Sequence, residues 1–217
     1  MATQKPTPKR ARYLVYSPWQ SGRVGGERRG QLKIRLALAG LFLCVLIRCG
    51  GSGKVAFNGT IRGQSFVPSD AISMNGRNGT STFSSINITS QSGLCGLLSA
   101  RQFPKNSKHF LIDLADVNQT PFAFTFTAPS AAGTYTVSRD SNPLPAKWAS
   151  VAYLLSGADC QSSEIAFGVS GTVTITSLNG GSYSGNFDVT LNTTDHVTGS
   201  FNASYCDPPP TTTIQCI

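Results

Sequence analysis

Between residues 172 and 176 the chain reads Thr-Val-Thr-Ile-Thr, which puts Val173 and Ile175 on one side of an extended backbone and three threonines on the other. Asn179-Gly180 follows, a pair that tolerates positive φ and so predicts a hairpin turn. In 183–191 Phe187, Val189 and Leu191 alternate with Asn186, Asp188 and Thr190, and Thr193-Thr194-Asp195 turns the chain again. Val197, Phe201 and Ala203 then alternate with Thr198, Ser200 and Asn202. The three segments predict an antiparallel meander with one dry and one wet face.

Upstream, the same alternation predicts strands over 54–61, 82–89, 108–115, 121–127, 133–138 and 148–155. Within 82–89 the phase slips between Phe83 and Ile86, which predicts a bulge at Ser84-Ser85. Leu94, Leu97 and Leu98 stand at helical spacing and predict one short helix over 91–101. About nine strands punctuated by Gly, Pro and Asn, with one short helix, imply an all-β fold, most simply an antiparallel β-sandwich, with a closed β-barrel as the alternative.

The opening of the chain has a different character. Leu36 to Ile47 is a run of twelve residues without charge, preceded by Arg28, Arg29, Lys33 and Arg35, which is the pattern of an export signal. Twelve apolar residues fall short of the roughly twenty that a helix needs to span a bilayer. Residues 1–49 are therefore expected to be a basic leader and export signal, and 50–217 a single domain.

This division changes the meaning of the net charge of +8. The leader carries ten Lys/Arg against Glu27, while 50–217 carries eight Lys/Arg against nine acids. A body of net charge −1 offers no basic surface to a phosphate backbone, so nucleic acid is excluded as an expected partner.

Cys95, Cys160, Cys206 and Cys216 follow the leader, and an even count in an exported chain predicts two disulfides. Three pairings are open. Cys95 with Cys160 and Cys206 with Cys216 is the one that closes the tail locally. Close Cys spacing is lacking and His is scarce, so neither a metal nor another cofactor is expected.

Catalytic chemistry finds little to build on. His109 lies in an apolar strand and His196 beside Asp195. The nearest approach to a nucleophile elbow, Gly181-Ser182-Tyr183-Ser184-Gly185, has Tyr at its centre. An exported hydrolase would have to use Asp195 with His196, or Glu164 with one of Asp113, Asp116, Asp159 and Asp188. A non-enzymatic protein is the expectation, and a carrier of small apolar ligands would require a barrel with an empty interior. Phe122, Phe124 and Phe126 share one strand face and are expected in the core. Trp148, after Asn142-Pro143-Leu144-Pro145, stands at a loop-to-strand boundary and is the better candidate for a binding edge. Asn-x-Ser/Thr occurs at Asn58, Asn78, Asn87, Asn118, Asn192 and Asn202, as Thr- and Ser-rich strands after Asn turns also produce.

Leu46-Ile47-Arg48-Cys49, followed by the tether Gly50-Gly51-Ser52-Gly53, resembles the lipobox of bacterial lipoproteins, with Arg48 where that motif carries a small residue. With Phe66-Val67-Pro68-Ser69-Asp70-Ala71, Cys95, and the tail from Ser170-Gly171-Thr172 to Phe201-Asn202-Ala203 closed by Cys206, the chain is similar to uncharacterised predicted lipoproteins of Gram-negative bacteria. The resemblance implies acylation at Cys49, attachment to a membrane through that lipid, and a place in the cell envelope. Gly50, rather than Asp, implies the outer membrane. Structural or surface-binding duties toward a polymer or protein partner are the expected function.

Overall fold

Alternation of apolar and polar side chains lets an extended segment bury one face, and long runs of it dominate the computed structural model. The structure describes residues 54–120, 124–139, 141, 143–209 and 215–217. The leader, Cys49 and Phe122 lie outside the described residues.

The elements follow in order as β1 (Val55–Asn58), β2 (Thr60–Ile61), β3 (Gln64–Ser65), β4 (Asp70–Asn78), β5 (Ser81–Thr89), α1 (Leu94–Ser99), β6 (Gln102–Phe103) and β7 (Lys108–Gln119). They continue as β8 (Phe124–Thr127), β9 (Gly133–Val137), β10 (Lys147–Ser156), β11 (Ser162–Asn179), β12 (Ser182–Leu191), β13 (His196–Tyr205) and β14 (Gln215–Cys216). The fold is all-β with one short helix, as expected. Its main sheet has ten strands in the order β1-β13-β12-β11-β9-β10-β7-β5-β4, with β8 beside β7.

The sheet is mixed rather than purely antiparallel, because β9 pairs with β10, and β4 with β13, in parallel. The second of these pairings, Ile72 with Ser204 and Ser73 with Tyr205, joins β4 at one end of the sheet to β13, the strand next to β1 at the other, and so closes a continuous circuit of strands from β13 round to β4. Opposite walls of the circuit pack face to face as two layers. The Phe110 ring of β7 lies 5.1 Å from Phe187 of β12 and 5.3 Å from Phe57 of β1, and Phe66 bridges Phe57 and Tyr153 at 4.9 and 5.7 Å. Ile86, Ile88, Ile112, Leu114, Val173, Ile175, Val189 and Leu191 fill the remaining interior. At one end the filling turns polar: Tyr183 and Ser84 share a hydrogen bond of 2.6 Å, and Tyr135 donates to Asp116 at 3.2 Å beside Lys147.

The meander β11–β12–β13 has the expected dry face, with Val173, Ile175, Phe187, Val189, Leu191, Val197, Phe201 and Ala203 all buried. Its first turn sits one residue later than expected. Asn179 pairs with Ser182, leaving Gly180 and Gly181 at φ 55° and 85° as the two-residue loop, because a hairpin of this type needs positive φ at both central positions. β11 also starts ten residues earlier than its alternation suggested, with register shifts near Gly168–Ser170 and Ile175–Ser177 that break the sequence period.

The bulge expected at Ser84-Ser85 is not there, since β5 keeps continuous register with β4 and β7 through both residues. Phe83 falls out of phase because it faces outward, over Gly76. A Cβ at Gly76 would stand 2.2 Å from the Phe83 ring.

The helix is shorter than expected and buries Leu94 and Leu98 against Ile72 and Cys206 on the outside of the sheet. Its first N–H group is met from another element: Leu94 N–H donates to the Asp70 carboxylate at 3.1 Å.

Candidate functional site

The four cysteines form two disulfides, but not the pairing that closes the tail locally. Cys95 bonds Cys206 and Cys160 bonds Cys216. Helix α1 packs on β4, and β4 lies beside the end of β13, so Cys206 meets the helix rather than its sequence neighbour.

The sequence candidates for catalysis are not brought together. His196 Nε2 lies 2.7 Å from Asp188 Oδ1 on the open outer face of the meander. Asp195 turns away from it and accepts hydrogen bonds from Thr193 Oγ1 (2.6 Å) and Arg62 N–H (2.7 Å), which hold its carboxyl below the usual range. Glu164 pairs with Arg139 at 2.9 Å, and that guanidinium covers the Phe167 ring at 4.0 Å. Asp116 pairs with Lys147 at 3.0 Å. Among the described residues no cluster of three or more His, Cys, Asp and Glu is placed to hold a metal ion.

His109 has a different environment from the one its apolar strand suggested. Its Nε2 lies 2.7 Å from Ser107 Oγ and its Nδ1 3.1 Å from Asn87 Oδ1, while Ser107 Oγ also lies 2.9 Å from Ser156 Oγ. Burial lowers the imidazole pKa to about 4, so the ring is neutral at pH 7. A consistent proton assignment has Nδ1–H donating to the Asn87 amide oxygen, Ser107 donating to Nε2, and Ser156 donating to the Pro104 carbonyl at 2.8 Å. The order hydroxyl, imidazole, amide is one that can activate a serine. Here Ser107 is 4% exposed, His109 is 2% exposed, and the Phe103 ring is stacked 5.3 Å above the imidazole, so the network is shielded from solvent. Sequence reasoning missed it because its members come from β5, the β6–β7 turn, β7 and β10, with no local spacing to betray them.

Aromatic side chains gather on the outside of the sheet. Ile112 and Leu114 of β7, and Ala149 and Val151 of β10, point into the core. Alternation therefore sends Asp113, Ala115, Val117, Trp148 and Ser150 outward. β8 adds Phe126 opposite Val117 and Phe124 opposite Gln119. The rings form a ridge, with Phe124 5.4 Å from Phe126 and Phe126 5.3 Å from Trp148. Phe124 is 57% exposed, so the expectation of a core-facing stripe is overturned for Phe124 and Phe126, Phe122 lying outside the described residues. β8 is a short strand added beside one end of β7, and both its Phe side chains lie on the outer layer.

Trp148 is held in place by Nε1–H donation to the Ser138 carbonyl at 2.7 Å. Two residues along the same face, the half-buried Asp113 accepts from Ser85 Oγ at 2.5 Å, and burial pushes its carboxyl up. Rings, a carboxylate and the Ser85 and Ser150 hydroxyls thus share one outer face of β5, β7, β8 and β10. Stacking surface beside fixed hydrogen-bonding groups can hold a ligand that has both apolar faces and hydroxyls. No known family model matches the chain, and neither does any curated protein or solved structure.

Proposed function

We propose that this chain is an exported, disulfide-linked protein of the cell envelope that binds a surface polymer on the aromatic outer face, without catalysing a reaction. The observation that carries the reading is the ridge Phe124–Phe126–Trp148, which leaves a large ring more than half exposed on the outer face of the sheet. Two disulfides support an oxidising compartment outside the cytosol. The apolar run ending at Ile47 supports export, and Cys49 with its Gly/Ser tether supports a lipid anchor to the outer membrane, where several acyl chains would hold the protein firmly.

Trp148 is the single Trp of residues 50–217, so intrinsic fluorescence reports on the ridge. Titration of the oxidised body with soluble fragments of envelope polysaccharide is expected to shift that emission. Phe124→Ala should weaken binding about tenfold, in keeping with the ~1–3 kcal/mol a stacked ring contributes at a binding surface, while leaving the melting temperature unchanged. An emission indifferent to every glycan fraction removes the reading. Intact-mass measurement of the membrane-extracted protein checks the anchor: an acylated chain beginning at Cys49 is expected.

A further inference from the structure

The two disulfides sit in different surroundings. Cys206 is 2% exposed and packs with Leu94, Leu98 and Ile72. Cys216 is exposed and Cys160 half-buried, and their bridge fastens a strap across the His109 network. After α1 the chain crosses the sheet through β6, and β14 lies beside β6 in parallel. Residues 215–217 are all exposed, so β14 buries no apolar side chain that would keep it in place.

Apart from the covalent bridge, the short ladder with β6 and flanking backbone bonds hold it, among them Gln215 N–H to the Arg101 carbonyl (2.8 Å), Ile217 N–H to the Phe103 carbonyl (3.0 Å) and Lys105 N–H to the Ile217 carbonyl (2.9 Å). A two-residue pairing of this kind is marginal without other support. In turn, β14 is the strand partner of β6, whose Phe103 closes the stack over His109. The backbone of this region is also held away from relaxed conformations. Of the five non-glycine residues with positive φ among the described residues, Arg101 (60°), Asn106 (54°) and Cys160 (59°) belong to the strap and its anchor.

We infer that Cys160–Cys216 is a redox clasp: a dithiol reductant of the thioredoxin class opens it, β14 is released, and the Ser107–His109–Asn87 network becomes accessible, while Cys95–Cys206 keeps the fold closed. A reductant thiolate attacks Sγ of the more exposed Cys216, the S–S bond breaks, and Cys160 leaves as a thiolate that takes a proton. The second reductant thiol then displaces Cys216 from the mixed disulfide. Two electrons and two protons pass to the protein, which ends with two thiols, and the reductant ends as a disulfide.

The test is made on the oxidised, exported protein under native conditions. Dithiothreitol is added in steps, free thiols are trapped with iodoacetamide and mapped by mass spectrometry, and His109 is probed with diethyl pyrocarbonate against the exposed His196 as internal reference. Cys160 and Cys216 are expected to alkylate first, with Cys95 and Cys206 still bridged. Modification of His109 is then expected to rise about tenfold or more, as local opening replaces global unfolding as its route to solvent, while His196 stays constant. The double variant Cys160→Ser/Cys216→Ser should show the same His109 reactivity without reductant. The inference is overturned if Cys95–Cys206 opens first or simultaneously, or if His109 stays inert once Cys160 and Cys216 are alkylated.

Discussion

Burial of His109 couples the fold to pH. Its folded pKa is about 4 against an ordinary value of 6.5, so between those limits the unfolded chain binds a proton that the folded chain refuses. Stability from this group is fully present above pH 6.5 and is lost as pH falls toward 4. The difference is worth on the order of 3 kcal/mol. Asp113 acts with the opposite sign: its raised carboxyl costs nothing at low pH and destabilises as pH rises through its folded value. Urea midpoints measured from pH 7 to 4 should fall, and His109→Gln should flatten that slope while lowering stability at pH 7 by about 1–3 kcal/mol through the broken network. Little of this was legible in the sequence, where His109 is one polar residue in an apolar strand. Trp148 was legible as an edge candidate, because Pro143 and Pro145 before it announce a loop end. The outward Phe124 and Phe126 were not, since period two states which residues share a face but not which face is inside.

At the scale of elements, legibility followed regularity. The meander β11–β12–β13 could be read because the apolar positions of β12 and β13 alternate with polar ones and the β11–β12 turn carries residues suited to positive φ. β4 was invisible: Asp70 at its start caps α1, and the buried Ser73 donates to the Gly181 carbonyl at 2.7 Å, so polar side chains stand where alternation would call for apolar ones. The β11–β12 turn gives a direct test of the local account. Gly180 has φ 55° and open space around its Cβ position, so Gly180→Asn should be tolerated within about 0.5 kcal/mol. At Gly181, φ is 85° and a Cβ would stand 2.6 Å from the Tyr205 ring, so Gly181→Ala should cost about 1–3 kcal/mol by thermal denaturation. Equal costs at the two positions would contradict the assigned turn.

For the molecule as a whole, the even cysteine count foretold two bridges, but the partners depend on the parallel meetings of β4 with β13 and of β14 with β6, which no local pattern announces. The bridges span 111 and 56 residues of chain. In the loop-entropy picture, Cys95→Ala/Cys206→Ala should cost about 5 kcal/mol and Cys160→Ala/Cys216→Ala about 4 kcal/mol, both readable as lowered denaturant midpoints. The meeting of β4 with β13 also sets a time order for maturation. Residues near 72 find their neighbours near 204 only when almost all of the chain has been delivered, so the sheet keeps exposed margins until then. A truncation ending before His196 would leave β12 without its outer neighbour and β4 without its parallel one. Such a chain should pair with copies of itself and accumulate as aggregate, a hazard the finished protein removes by sealing its own seam.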